Sequence, residues 1–442
     1  MEHSAQDSDH QQEKGLRGIE VHGHSSRSVV ESQPPPPPDG GLHAWLKVFG
    51  GFLVYINIWG FTLSYGAFQS YYASSLLSSA SPSSISWIGT VQAWLLIVIG
   101  VLSGPLFDLG YFRSMLCVGN FLIVFGIMMV SLSKTYWQVL LSQGVCMGLG
   151  AGLLYIPSLA LVGIWFERKR AMAMGFVMSG IAVGGVVYII MFDQLVPTAG
   201  FPWAIRSMGF ITLTTALLSF PALLSGSKVL AQPRKARRLF DPSALHDRLF
   251  LIFTASTFFN FLGYIVPYFY IPTYAREVLG TSDSLALYML VMSVAASFFG
   301  RILSGVLAHY LGSVVTWGLC AFASGVLALA WIGIDTVGGF IAFSILWGFL
   351  SAALVTLPSA AFANICPDLT RLGTRIGMSW SVSSIASLIG SPIAGQLLRT
   401  NNGKRDFLGV QLWSGVCLLF GSCWLGVLWW ATSRRLGKGW RV

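Results

Sequence analysis

From residue 43 onward the chain alternates long apolar runs with short polar connections. The runs lie at 43–66, 85–106, 114–132, 137–164, 171–194, 207–226, 249–274, 285–308, 313–333, 337–363, 373–398 and 409–432. As helices they reach across a hydrocarbon core of about 30 Å. Lipid offers no partner for backbone amides, so the helix, which bonds its own backbone, is the form such runs take. The pattern predicts an all-α polytopic membrane protein with twelve transmembrane helices. The longest connection, 227–248, holds Arg234, Lys235, Arg237 and Arg238 and divides the chain into two sets of six, a bundle over 39–226 and a bundle over 249–432. Residues 1–38 are polar and end in the run Pro34 to Pro38, which predicts a disordered cytoplasmic tail with a short stiff spacer. Residues 433–442 form a second cytoplasmic tail, and no cleavable signal peptide is expected.

The two sets repeat weakly at one offset. Leu102-Ser103-Gly104 aligns with Leu303-Ser304-Gly305, Pro157-Ser158 with Pro358-Ser359, and Glu167 and Arg170 with Asp368 and Arg371. Duplicated halves imply a pseudo-twofold axis with a solute site between them.

Composition supports a membrane reading: 54% of the 442 residues are hydrophobic and 10% charged, against roughly 25% charged in soluble proteins. The net charge of +10 sits in the loops, at Arg113, Arg168 to Arg170, the central connection, Arg371, Arg375, and Arg434 to Arg441. By the positive-inside rule both termini are cytoplasmic, and the charge needs no nucleic-acid partner. The six cysteines lack metal-ligand spacing and read as packing thiols, so no metal and no cofactor is expected. No phosphate-binding loop, His-Glu-x-x-His or Gly-x-Ser-x-Gly occurs, so neither an enzyme nor an ATP-driven pump is expected.

Gly104-x-Leu106-x-Asp108, followed by Arg113, resembles the loop signature of the major facilitator superfamily, with Gly110 one place early. Three further blocks narrow the resemblance: Pro38-Asp39-Gly40-Gly41 with Ala44-Trp45, Trp165 to Gly175, and Phe299-Gly300-Arg301. Together they resemble the fungal branch of the monocarboxylate porter family over residues 38–432. The resemblance implies alternating access around a central cavity lined by the first, fourth, seventh and tenth helices. It also implies Asp108 and Arg113 as gating residues, with His309 in place of the second acid. Where animal carriers of that family have a lysine and an aspartate, this chain has Gln69 and Ser297, which argues against their proton relay.

Arg301 lies inside an apolar run, which costs roughly 2.5–3.5 kcal/mol unless it meets a cavity or partner. It is a candidate clamp for an anionic solute, its planar fork suiting carboxylates. Asn57, Tyr65, Gln69, Asn260 and Tyr264 are candidate uncharged groups for the same site, each equally readable as a helix-to-helix hydrogen bond. Asp193 near the end of the fifth run reads as an interfacial acid rather than a proton carrier. Gly144, Gly148 and Gly152, with Gly180 and Gly184, read as close-packing surfaces. The expected function is secondary transport of a small organic solute (a monocarboxylate, a riboflavin-like compound or a secondary metabolite), with protons as a candidate partner. Export of a biosynthetic product and a non-transporting sensor are the alternatives. The expected setting is the lipid bilayer of the plasma membrane, or a vacuolar or other internal membrane, as a monomer or weak dimer.

Overall fold

The computed structural model describes residues 40–166, 169–226, 238–366, 371–401 and 404–436. The N-terminal tail through residue 39, the 227–237 stretch and residues 437–442 lie outside them, as do Glu167 and Asp368 from the sequence repeat and Arg168 from the basic loops. Eleven helical segments are long and apolar enough to cross a membrane: α1 (Leu42–Leu76), α2 (Pro82–Asp108), α3 (Phe112–Val130), α4 (Tyr136–Trp165), α5 (Met172–Leu224), α6 (Arg248–Glu277), α7 (Asp283–Leu311), α8 (Ser313–Gly333), α9 (Val337–Ile365), α10 (Leu372–Leu397) and α11 (Leu408–Arg434). The 53 residues of α5 would measure about 80 Å as one straight rod, more than twice the hydrocarbon thickness. They bend at Gly200, whose φ of 77° and ψ of 160° are non-helical, so α5 consists of two arms each long enough to cross, and the described residues hold twelve such segments.

The expected connection over 195–206 is therefore a single residue. Pro197 and Pro202 flank Gly200. Pro202 stands in the first turn of the second arm, where a missing amide costs nothing, and Gly200 adopts a backbone that other residues avoid. Periodicity could not see this, because proline and glycine together read as loop. Other helix starts follow ordinary capping chemistry. Ser81 accepts from the Ser84 amide, Ser282 from Leu285 and Thr336 from Gly339, while Thr135 and Gln138 form a capping box. The turns leaving α2 and α7 each use a glycine with φ of 91°, Gly110 and Gly312. One non-helical element was not anticipated: β1 (Arg399–Asn401) pairs antiparallel with β2 (Lys404–Asp406) between α10 and α11.

α1 packs along both arms of α5, α2 against α4 and α10, α6 against α10 and α11, and α7 against α5 and α9. The glycine stripes serve these contacts: a Cβ on Gly152 would lie 2.8 Å from the Leu95 carbonyl, and one on Gly180 would lie 2.5 Å from that of Phe52. Small residues let the backbones approach this closely, which is what holds helices together where lipid supplies no hydrophobic drive.

Candidate functional site

A cavity of about 330 Å³ opens among α1, α2, α4, the first arm of α5, the end of the central connection, α9 and α10. It runs from the middle of the helices toward the side that bears the central connection. Its walls are aromatic and apolar: Tyr55, Trp59, Tyr155 and Trp380, with Met174, Met178, Ile97 and Val355. Tyr155 stands edge-on to Trp59 with ring centroids 5.6 Å apart, and the Tyr55 hydroxyl donates to the Tyr155 carbonyl at 3.3 Å. The polar lining is sparse, namely Thr356, Ser359, Thr374 and Arg238. Such walls suit a flat, largely apolar solute, with polar groups few enough to set orientation.

The opposite end is closed. There the Ser86 hydroxyl pairs with that of Tyr270 at 2.9 Å and donates to Gln69 Oε1 at 3.4 Å. Ser83 donates to the Pro392 carbonyl at 2.9 Å, Arg276 to the Ser70 carbonyl at 3.4 Å, and Gln194 to the Tyr288 hydroxyl at 3.2 Å. A Cβ on Gly66 would run into the Tyr268 carbonyl. α1 and α6 therefore touch backbone to backbone at this closure.

The expected site residues separate into groups. Gln69 belongs to the closure, and Tyr65 lies beside it, donating to the Ile85 carbonyl at 2.5 Å. Asn57 faces the second arm of α5, where its amide oxygen accepts from Tyr188 at 2.8 Å and from Thr215 at 3.0 Å. Asn260 is buried against Gly421 of α11 and neither amide atom finds a partner. None of these four lines the cavity; Tyr65, Gln69 and Asn57 instead hydrogen-bond to neighbouring helices, and Asn260 packs against α11. Polar residues in apolar runs serve both purposes, and only geometry tells them apart. Arg301 also lies outside the lining. Its Nη1 donates to Ser297 Oγ at 2.8 Å, its Nε is buried without a partner, and Tyr264 and Tyr268 are its electrostatic neighbours. Asp108 ends α2 and Arg113 stands in the first turn of α3; both have partners. His309 is exposed beside Tyr310 near the end of α7, on that same side.

Two features escaped the sequence reading. Lys47, fully buried in α1, caps the end of α5. Its Nζ donates to the carbonyls of Leu223 (2.5 Å), Ala222 (3.4 Å) and Ser225, and lies 5.4 Å from the Trp165 ring. A cation there meets the negative end of the helix dipole and the carbonyls that lack intrahelical partners. The second is a charge cluster. Arg375 of α10 grips Asp241 and Asp247, each at 3.0 Å, and donates to Ser243 at 3.2 Å, while Arg371 lies 3.6 Å from Asp241. Hydrogen bonds from Ser243 and the Arg375 guanidinium bring the Asp241 carboxyl down to about 2. The cluster fixes residues 238–247 against the start of α10. Its signal was present as two aspartates before a span and two arginines at the start of another, but only the fold brings them together.

Residues 48–364 match the Major Facilitator Superfamily. An MFS-type transporter of Emericella nidulans is 39% identical over 381 residues, covering 86% of this chain and 85% of the relative. An aspyridones efflux protein of the same organism is 36% identical, covering 88% of this chain and 78% of the relative. An agnestins efflux protein of Paecilomyces divaricatus is 33% identical, covering 91% and 90%.

Proposed function

This chain belongs to the Major Facilitator Superfamily, and from that premise we propose that it exports a small aromatic secondary metabolite. The observation that carries the reading is the cavity wall of Tyr55, Trp59, Tyr155 and Trp380, which offers stacking surfaces and few polar groups. Two relatives named as efflux proteins, one for aspyridones and one for agnestins, support the direction. Within the superfamily, the motif blocks around Trp45, Trp165 and Arg301 favour the fungal branch of the monocarboxylate porters.

Transport proceeds by alternating access between halves 39–226 and 249–432. In the state described, the cavity is reached from the central-connection side, which we take as cytoplasmic on the distribution of Lys and Arg. The solute enters there, the cavity mouth narrows around it, and the Ser86–Tyr270 closure separates. Arg301 and Tyr264 lie deeper toward the second half and serve as the next polar contact once the halves move. Asp108, Arg113 and His309 act at the mouth. The working unit is a monomer in the plasma membrane, and without the lysine and aspartate relay a proton, if coupled, uses another residue.

Inside-out membrane vesicles from an expressing host test the reading. They should accumulate 1-naphthoate faster than vesicles without the protein and in preference to lactate, and Trp380→Ala should slow that uptake. Equal accumulation with and without the protein refutes it.

A further inference from the structure

We propose that the central connection itself forms part of the solute site, with the Arg238 guanidinium reading an anionic group on the solute. The proposal rests on the aromatic-export reading and specifies its substrate class: a flat aromatic molecule carrying one acidic oxygen function, a carboxylate, enolate or phenolate.

A basic central connection is already expected on topological grounds, so charge alone would say nothing. Three observations set Arg238 apart. It lines the cavity, and it is the one charged residue among the described lining residues. Its backbone is anchored, since Thr374 Oγ1 of α10 donates to the Arg238 carbonyl at 2.6 Å. Three residues on, the chain is fixed again, with the Asp241 carboxylate on Arg375 Nε at 3.0 Å and the Asp241 amide on Met378 Sδ at 3.3 Å. Arg238 therefore stands at the cavity on a short, doubly fastened piece of chain.

The guanidinium makes no ion pair among the described residues, although two carboxylates lie within ten positions of it. Arg375 and Arg371 engage Asp241, and Arg375 also holds Asp247. The cluster thus does two things. It fixes the segment, and it takes up the nearby acids that would otherwise neutralise Arg238. A cation left at the edge of an aromatic cavity, with donors in a planar fork, suits an oxygen anion attached to a flat ring. Thr356 and Thr374, whose hydroxyl hydrogens go to the Ala352 and Arg238 carbonyls, can accept from the remaining polar atoms of such a solute, and Ser359 can accept from or donate to them.

The test compares 1-naphthoate with its neutral isostere 1-naphthamide, titrated calorimetrically into the full chain in nanodiscs, with empty nanodiscs subtracted. The wild-type protein should favour naphthoate. In Arg238→Gln the naphthoate-to-naphthamide affinity ratio should fall about tenfold, as expected for loss of one charge-assisted hydrogen bond, and Arg238→Lys should restore part of it. Asp241→Asn, which loosens the anchor without touching the solute, should lower the same ratio to a smaller degree. An unchanged ratio in Arg238→Gln, or an equal loss for both probes, overturns the role of Arg238 and leaves the aromatic cavity standing. Failure of both probes to bind the wild-type protein overturns the aromatic-export reading and this inference with it.

Discussion

Removing one phenolic oxygen should open the closed end. Tyr270 and Ser86 are both buried, and their hydroxyls meet at 2.9 Å between α6 and α2. Alternating access requires these helices to part. In Tyr270→Phe the ring stays, edge-on to Phe407 at 6.5 Å, and only the hydroxyl is lost. Ser86 is not orphaned, because it still donates to the Pro82 carbonyl at 3.0 Å. The cost is therefore that of a shared hydrogen bond rather than a buried unpaired group, about 0.6 kcal/mol on membrane-protein averages and up to about 1.5 by general mutational series. At 1.4 kcal/mol per decade, the population open at this end should rise roughly threefold to twelvefold. Hydrogen–deuterium exchange of residues 83–89 and 266–274 in nanodiscs reads that population. Tyr274→Phe supplies the control: its hydroxyl donates to the Ile334 carbonyl at 2.9 Å, within the same proposed half, so exchange at 83–89 should stay at the wild-type rate. Equal exchange in Tyr270→Phe and wild type would show that the hydroxyl pair does not hold the end shut.

Three further outcomes are expected. Gly66→Ala places a methyl against the Tyr268 carbonyl, so it should wedge α1 from α6, raise exchange at 266–274 more than Tyr270→Phe does, and slow transport; normal transport would mean that the backbones separate freely there. Asp241 has its carboxyl held near 2, below an ordinary value of 3.8. Its contribution to anchoring residues 238–247 should therefore be complete above that ordinary value and disappear as pH falls through about 2, seen as loss of proteolytic protection of the segment between pH 4 and 2 that Asp241→Asn shows already at pH 7. Arg301→Lys keeps the charge and loses the fork that holds Ser297 at 2.8 Å, so transport should fall sharply while the protein still reaches the membrane; full activity would make the guanidinium geometry irrelevant.

The helices were legible because an apolar run of about twenty residues has only one low-energy form in lipid. The aromatic cavity was not. Tyr55, Trp59, Tyr155 and Trp380 sit inside spans where an aromatic side chain is as much at home in the core as at a cavity wall, and nothing in their spacing separates the two. Polar residues misled for the converse reason. Asn57 looked like a solute contact, yet it satisfies Tyr188 and Thr215 within its own half. Lys47 passed unnoticed because its partners are backbone carbonyls at the end of α5, which carry no sequence signature. Gly200 was read as part of a loop because the turn it makes needs one residue, not twelve.

The described contacts that cross between the proposed halves differ in chemistry from those within one half, and the difference bears on how a solute can drive the cycle. At the central-connection side the ion pairs of Arg371 and Arg375 with Asp241 and Asp247 join segments that both lie in residues 238–375. On the proposed division into halves they need not break when the halves move, so they act as fixed scaffolding. At the opposite end the described bonds that do cross, Ser86 to Tyr270, Ser83 to Pro392, Arg276 to Ser70 and Gln194 to Tyr288, each have a neutral acceptor. At about 0.6 kcal/mol apiece they sum to roughly 2 kcal/mol. Inverting a two-state population from 1:99 to 99:1 takes about 5.5 kcal/mol of differential binding, and a solute held at micromolar affinity has about 8 kcal/mol in all. A closure of this size can be overcome by part of one solute's binding free energy. A buried ion pair at the same place would leave charges stranded in a low-dielectric site each time it opened, at several kcal/mol per ion. Hydrogen bonds to neutral acceptors across the closure, with the described ion pairs kept inside residues 238–406, are thus the arrangement that lets an uncharged or singly charged solute turn the transporter over.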